Sequence, residues 1–273
     1  MKSHIKVLFF ADLVGKPGRF VVSQMCKNLK EKYGADFVIA NIENAAGGFG
    51  ITPEMSRKIF SYGVDCQTSG NHIWDRMDIL KYLDEQPKLI RPANFPAGCP
   101  GFGHYVGEFD GIKIGVLNLM GRTYMKDIDC PFQVADRELK IIRDKTDIIV
   151  IDFHAEVTSE KQALAYYLDG RVSAVIGTHT HVQTADETVS ERGTAYITDV
   201  GMTGPHDSII GMAKTPSLDR FLTGMPKRFA CAKDDVKISG VLITISTSDG
   251  AAEAIERFKI DYSGANDSDL LEE

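Results

Sequence analysis

Blocks of apolar residues alternate along this chain with longer amphipathic stretches. Ile5 to Ala11 is a short, almost unbroken apolar run, which predicts a buried strand. Pro17 to Tyr33 reads as a helix, with proline near its first turn and Gly34 just past its end. Phe37 to Ile42 is the next strand. Thr52-Pro53 opens a helix with Thr52 as its N-cap, and Val64 to Ser69 is a third strand. A helix is expected after it, running through Trp74 to Leu83. This βαβαβ rhythm predicts a parallel sheet with covered faces.

From Gly98 to Gly111 the chain is rich in Gly, Pro and aromatic residues, which predicts a loop and a short antiparallel strand over His104 to Phe109. Strands are expected at Lys113 to Leu119, Asp147 to Phe153 and Val172 to Ile176, with helices at Pro131 to Lys145 and Ser159 to Leu168. The last third favours strands, including Ala195 to Ile197 and Val236 to Ser246. The shift from alternation to strands predicts an α/β protein with a two-sheet sandwich flanked by helices. No repeat or linker divides the chain, so residues 1–262 are expected to form one domain. Residues 263–273 are polar and acidic and are expected to be a frayed, disordered tail.

Composition narrows the function classes. The net charge of −7 argues against binding a DNA duplex, which needs a basic surface. It does not argue against a small anionic substrate at a metal site. No segment reaches the roughly 18 apolar residues of a membrane span. The N-terminal run Val7 to Ala11 is cut by Asp12 too early for a signal peptide. The five cysteines are scattered, odd in number and form no CxxC pair, which fits free thiols in a reducing cytoplasm. A homo-oligomer is compatible with this composition.

The chemistry sits at strand ends. Asp12 follows the first apolar run, Glu43-Asn44 the second, and Asn71-His72 the third. His154 follows Ile148 to Phe153, and His179 and His181 follow Val172 to Gly177. In open α/β sheets the carboxyl ends of parallel strands gather along one edge, where ligands bind. Each residue alone has a plainer reading: His154 as a hydrogen-bonded core histidine, Asp12 as a helix cap, Asn44 to Gly48 as a turn. Five strand ends bearing Asp, Glu, Asn and His together favour a site. Carboxylate, amide oxygen and imidazole without thiolate suit Mn, Fe or Zn. The donors are too many for one ion and right for two. Two divalent ions, two carboxylates and a hydroxide leave about one positive charge, which matches a phosphodiester anion.

This set, Asp12…Glu43-Asn44…Gly70-Asn71-His72…His154…Gly177-Thr178-His179-Thr180-His181, resembles the binuclear metallophosphoesterase pattern. More narrowly, Asp12 to Arg19, Asn41 to Gly48 and Thr198 to Pro205 resemble the bacterial YmdB-like branch, whose members act on 2′,3′-cyclic nucleotides. Two departures from the wider superfamily are habits of that branch. Val14 stands where a histidine is usual, and Glu43 stands where a bridging aspartate is usual.

The resemblance implies a four-layer α/β/β/α sandwich of two mixed sheets flanked by helices. It implies two divalent metal ions, Fe or Mn with Zn as a further option. Asp12, Glu43, Asn44 and His181 would hold one metal. Glu43 would bridge to the second, completed by Asn71, His154 and His179. His72 would be the general acid, with in-line attack on phosphorus by a metal-bridging hydroxide. The substrate would be a small phosphodiester, the cyclic-phosphate ends of RNA included. Two other functions share these features: a phosphomonoesterase on the same site, and a metal-bound regulatory protein that senses a nucleotide without turnover. Arg19 and Arg122 are further candidates for substrate contact, and the loop from Asp199 to Pro205 for lining the pocket.

Overall fold

The protein is described here by a computed structural model covering residues 2–263. The tail therefore lies, from residue 264 on, outside the described residues. The chain opens with β1 (His4–Phe10), β2 (Asp12–Leu13), α1 (Gly15–Tyr33), β3 (Phe37–Asn41), α2 (Pro53–Ser61), β4 (Cys66–Thr68) and α3 (Ile79–Glu85). β1 pairs in parallel with β3, and β3 with β4, as the βαβαβ pattern predicts. Gly34 ends α1 in the left-handed conformation, and Thr52 caps α2 by accepting the Met55 amide at 3.3 Å.

The second stretch contains β5 (His104–Phe109), β6 (Ile112–Met120), α4 (Pro131–Arg143), β7 (Ile149–His154), α5 (Thr158–Leu168) and β8 (Ala174–Thr178). The last contains β9 (Thr188–Val189), β10 (Ala195–Ile197), β11 (Met202–Pro205), α6 (Lys214–Thr223), β12 (Val236–Ser246) and β13 (Ala252–Asp261).

Two mixed sheets result. One runs β2-β11-β12-β1-β3-β4 with β13 added against β12, and the other runs β5-β6-β7-β8-β10-β9. The period of two in each strand decides what each face meets. In β1, Val7 and Phe9 point into a core between the sheets, together with Ile39, Val116, Val150, Ile176 and Ile243. Leu8 and Phe10 point the other way, into a core shared with Val22, Cys26 and Ile59 of α1 and α2. On the second sheet Ile149, Ile151 and Phe153 pack against Val134, Leu139 and Leu164 of α4 and α5. The layers are thus α/β/β/α. Strands covered on both faces must be apolar throughout, which explains the unbroken runs in the sequence.

One predicted helix starts later than its pattern suggests. From residue 71 to 78 the chain makes successive turns, and α3 begins only at Ile79. The His72 amide donates to Glu43 Oε2 at 3.0 Å, and Arg76 donates to the carbonyls of Ala46 and Phe49. These long-range partners hold the segment out of a helix. The last third holds α6 as well as strands, which the sequence pattern did not predict.

Candidate active site

The carboxyl ends of β1, β3, β4, β7 and β8 open on one rim, and the predicted site residues meet there. His154 Nε2 lies 2.9 Å from Glu43 Oε1, 3.2 Å from Asn71 Oδ1 and 3.0 Å from His179 Nδ1. Glu43, His154 and His179 can place one donor atom each within 4.8 Å of the others. A second group adjoins the first. His181 Nε2 lies 3.3 Å from Asp12 Oδ2 and 3.3 Å from Asn44 Oδ1, and Asp12 Oδ2 accepts the His179 amide at 2.9 Å. Seven residues from five strand ends therefore form one continuous cluster, and His72 stands beside it through its amide bond to Glu43.

The far sides of the three imidazoles and of Asn44 are already engaged. Nδ1 of His154 meets Thr178 Oγ1 at 2.9 Å, and Nδ1 of His181 donates to the Ile210 carbonyl at 2.9 Å. Nε2 of His179 meets Glu156 Oε2 at 3.0 Å. The Asn44 amide nitrogen donates to Gly48 O at 2.8 Å, which turns its oxygen toward His181. Donor atoms that converge while their other ends are tied down are what a cation site requires.

Two further observations fit resident metal. Asp12 is fully buried, yet its Oδ1 has no hydrogen-bond partner among the described residues. At Gly70 a Cβ would fall 2.2 Å from His154 Cδ2 and 2.5 Å from Glu43 Oε2, so only glycine lets the segment leaving β4 come this close to the cluster.

The electrostatics are those of crowded, mutually dependent charges. For Glu43, burial favours the neutral acid, but His154 and then His72 outweigh it and bring the carboxyl down to about 2. For His154, burial works against the proton, but Glu43 and Asp12 raise the imidazole to about 9. Burial, reinforced by the charge on His154, drives His179 down to about 3. His179 is thus neutral and offers a lone pair. Below the cluster Asp152 is fully buried between the sheets, and burial raises its carboxyl to about 7. It accepts from Asn41 at 2.9 Å and from Thr178 at 2.7 Å, and from Thr68 as well.

Both histidines of the HTH turn adopt positive φ, +103° at His179 and +64° at His181. Such backbone persists only when its surroundings hold it. The Thr180 amide between them donates to Asp199 Oδ2 at 3.0 Å, and Lys161 Nζ binds the same oxygen at 2.7 Å. Both charged residues are buried, Lys161 to 1% exposure.

Sequence reasoning missed the partners Asp75, Asp152, Glu156 and Lys161. Asp75 Oδ2 lies 2.8 Å from His72 Nδ1, a spacing of three residues that was readable in principle. Asp12 does not cap α1, whose N-cap is Val14. Arg19 donates to the Ala45 carbonyl and lines a neighbouring groove. The Arg122 and Thr123 amides bind Glu160, and the Arg122 guanidinium lies 3.5 Å from Cys130 Sγ rather than on a cluster residue. The loop after Asp199 acts through that carboxylate, which also accepts the Gly201 amide at 2.8 Å.

A four-layer sandwich with a histidine–carboxylate cluster on the sheet rim belongs to the phosphoesterase class of α/β folds. The chain matches the family model of the YmdB-like proteins over residues 8–258, and it belongs to that family. It is 48% identical over 256 residues to a 2′,3′-cyclic-nucleotide 2′-phosphodiesterase of Bacillus subtilis, covering 94% of this chain and 97% of that one. Among solved structures, a phosphatase from Mycoplasma pneumoniae superposes with a TM-score of 0.90 at 33% identity, over 99% of this chain and 100% of that one. A hypothetical protein from Thermus thermophilus superposes with a TM-score of 0.88 at 41% identity, over 94% and 99% of the two chains. No helix among the described residues is long and apolar enough to cross a membrane.

Proposed function

We propose that this protein is a metal-dependent phosphodiesterase that opens nucleoside 2′,3′-cyclic phosphates. The observation that carries the reading is the convergence of the buried Asp12, Glu43, Asn44 and His154 with the half-buried Asn71, His179 and His181, with Asp12 Oδ1 left unpartnered. Glu43, Asn71, His154 and His179 would hold one divalent ion; Asp12, Asn44 and His181 a second, with Glu43 shared. The donor set suits Fe or Mn and is compatible with Zn. When bound, the pair supplies an activated water and neutralises charge on the phosphoryl oxygens.

The chain's own residues do the rest. Asp75 accepts from His72 Nδ1 and fixes the ring, which leaves Nε2 to carry a proton to the leaving ribose oxygen. The relative's name specifies a 2′-phosphodiesterase, so we assign the 2′ oxygen as the leaving group and a 3′-monophosphate as the product. A cyclic phosphate at the end of an RNA presents the same chemistry. The free thiols of all five cysteines suit the cytoplasm.

The test is elemental analysis of the purified chain, then hydrolysis of adenosine 2′,3′-cyclic phosphate and of adenosine 5′-monophosphate. Two metal equivalents and turnover of the cyclic diester are expected, with loss of both on chelation. Faster release of phosphate from the monoester would mark a phosphomonoesterase instead. A metal-loaded chain that binds the cyclic nucleotide without turnover would be a sensor.

A further inference from the structure

The ligand cluster forms only one side of its cavity. The cavity, about 220 Å³, is lined as well by Phe49, Ile210, Met212, Phe221 and Phe229. Such a wall does nothing for a phosphate, which needs cations and donors. It suits the one flat apolar part of a nucleotide, the base.

The wall is built in place. Phe49 stands edge-on to His72, with ring centroids 5.0 Å apart at 74°. The Met212 methyl occupies the space a Cβ at Gly48 would take, at 2.3 Å, so the loop carries glycine where the wall closes. The Arg220 guanidinium sits 5.2 Å from the Phe229 ring centroid and holds that ring. Phe221 and Ile210 stay 80% and 53% exposed at the rim. Large apolar side chains left open beside a polar centre mark a ligand surface.

We propose that this wall is a nucleobase subsite, in which Phe221, which lines the cavity together with Phe229 and Phe49, stacks on the base of a nucleotide whose phosphate lies at the ligand cluster. The inference rests on reading that cluster as a phosphodiesterase centre. Stacking on an aromatic ring tolerates any base, so the subsite selects nucleotides over base-free cyclic phosphates and discriminates weakly among bases.

The experiment compares kcat/KM of the metal-loaded chain for adenosine 2′,3′-cyclic phosphate and for glycerol 1,2-cyclic phosphate. The ratio of the two should favour the nucleotide. It should fall about 5- to 100-fold in Phe221→Ala, chiefly through KM for the nucleotide, and return in Phe221→Tyr. A ratio unchanged in both Phe221→Ala and Phe229→Ala overturns the subsite, as does equal loss on both substrates. If the native chain hydrolyses neither substrate, the phosphodiesterase reading fails separately. Calorimetric binding of adenosine 3′-monophosphate then decides the subsite, with weaker binding to Phe221→Ala supporting it and equal binding refuting it.

Discussion

Asp199 holds Thr180, the residue between the two histidines of the HTH turn, by its backbone amide at 3.0 Å. The carboxylate comes from the loop after β10, and its charge is matched inside the protein by Lys161 of α5 at 2.7 Å. A helix, a turn and a loop are thus tied at one buried point. Removing Lys161 strands a negative charge in the interior, so Lys161→Met should destabilise by about 3–5 kcal/mol in chemical denaturation. Asp199→Asn keeps an acceptor but loses the charge and loosens two residues held at positive φ. Manganese affinity, followed by calorimetry, should drop about 10- to 100-fold.

His72 differs from the other histidines in its surroundings. Its side chain is 27% exposed, and its ring is paired with Asp75 rather than with the cluster. His72→Ala should therefore retain metal content while kcat for the cyclic nucleotide falls about 10²- to 10⁴-fold. Asp75→Asn should show a smaller fall, because the ring remains but turns more freely. Loss of metal from His72→Ala would make it a ligand instead of a proton donor.

The strand-end residues were legible because each follows an apolar run that had to be a buried strand. The link of Asp12 to the His179 amide spans 167 residues, yet both ends announce themselves locally. The 71–78 turns were not legible. Ile73, Trp74 and Leu80 mimic a helical stripe, and only contacts with Glu43, Ala46 and Phe49 prevent the helix. α6 was hidden for the opposite reason. It buries Ser217 while Leu218, Phe221 and Leu222 stay exposed, so it presents no core-facing stripe to detect. Lys161 and Asp152 were invisible because they act through Asp199 and Thr178, and neither bond follows from spacing.

Thr178 connects His154 to Asp152, with its hydroxyl 2.9 Å from His154 Nδ1 and 2.7 Å from Asp152 Oδ1. Valine has nearly the same shape and no hydroxyl. Thr178→Val should release the imidazole from its fixed orientation and weaken manganese binding about 10- to 100-fold in calorimetric titration. Thr178→Ser should restore it.

A pH effect is expected away from the site. His104 Nδ1 lies 2.8 Å from Glu138 Oε2, joining β5 to α4. That hydrogen bond, opposed by partial burial and aided by Arg137, holds the Glu138 carboxyl below its usual 4.5. The native state thus favours the ionised form. Its contribution is full above pH 4.5 and is lost as pH falls through the lowered native value. Glu138→Gln should cost about 1 kcal/mol at neutral pH. The gap between variant and native denaturation midpoints should close on acidification below pH 4.5. A gap that widens there would reverse the sign and sink the assignment.

Gly70 offers the sharpest test of how closely the segment after β4 must approach the cluster. The segment leaves the sheet at Thr68 and passes so near that an added methyl group would lie 2.4 Å from His154 Nε2. Neither the fully buried His154 nor Glu43, exposed to 1%, has room to retreat. Gly70→Ala must therefore displace the imidazole, the carboxylate or the strand end. Overpacking of this kind costs about 1–3 kcal/mol, within what a domain of this size tolerates, so the variant should still fold. Its circular dichroism spectrum should match the native one, while bound metal per chain falls below one equivalent and hydrolysis of the cyclic nucleotide disappears. Native metal content in a folded Gly70→Ala chain would show that Glu43 and His154 do not share an ion at this point.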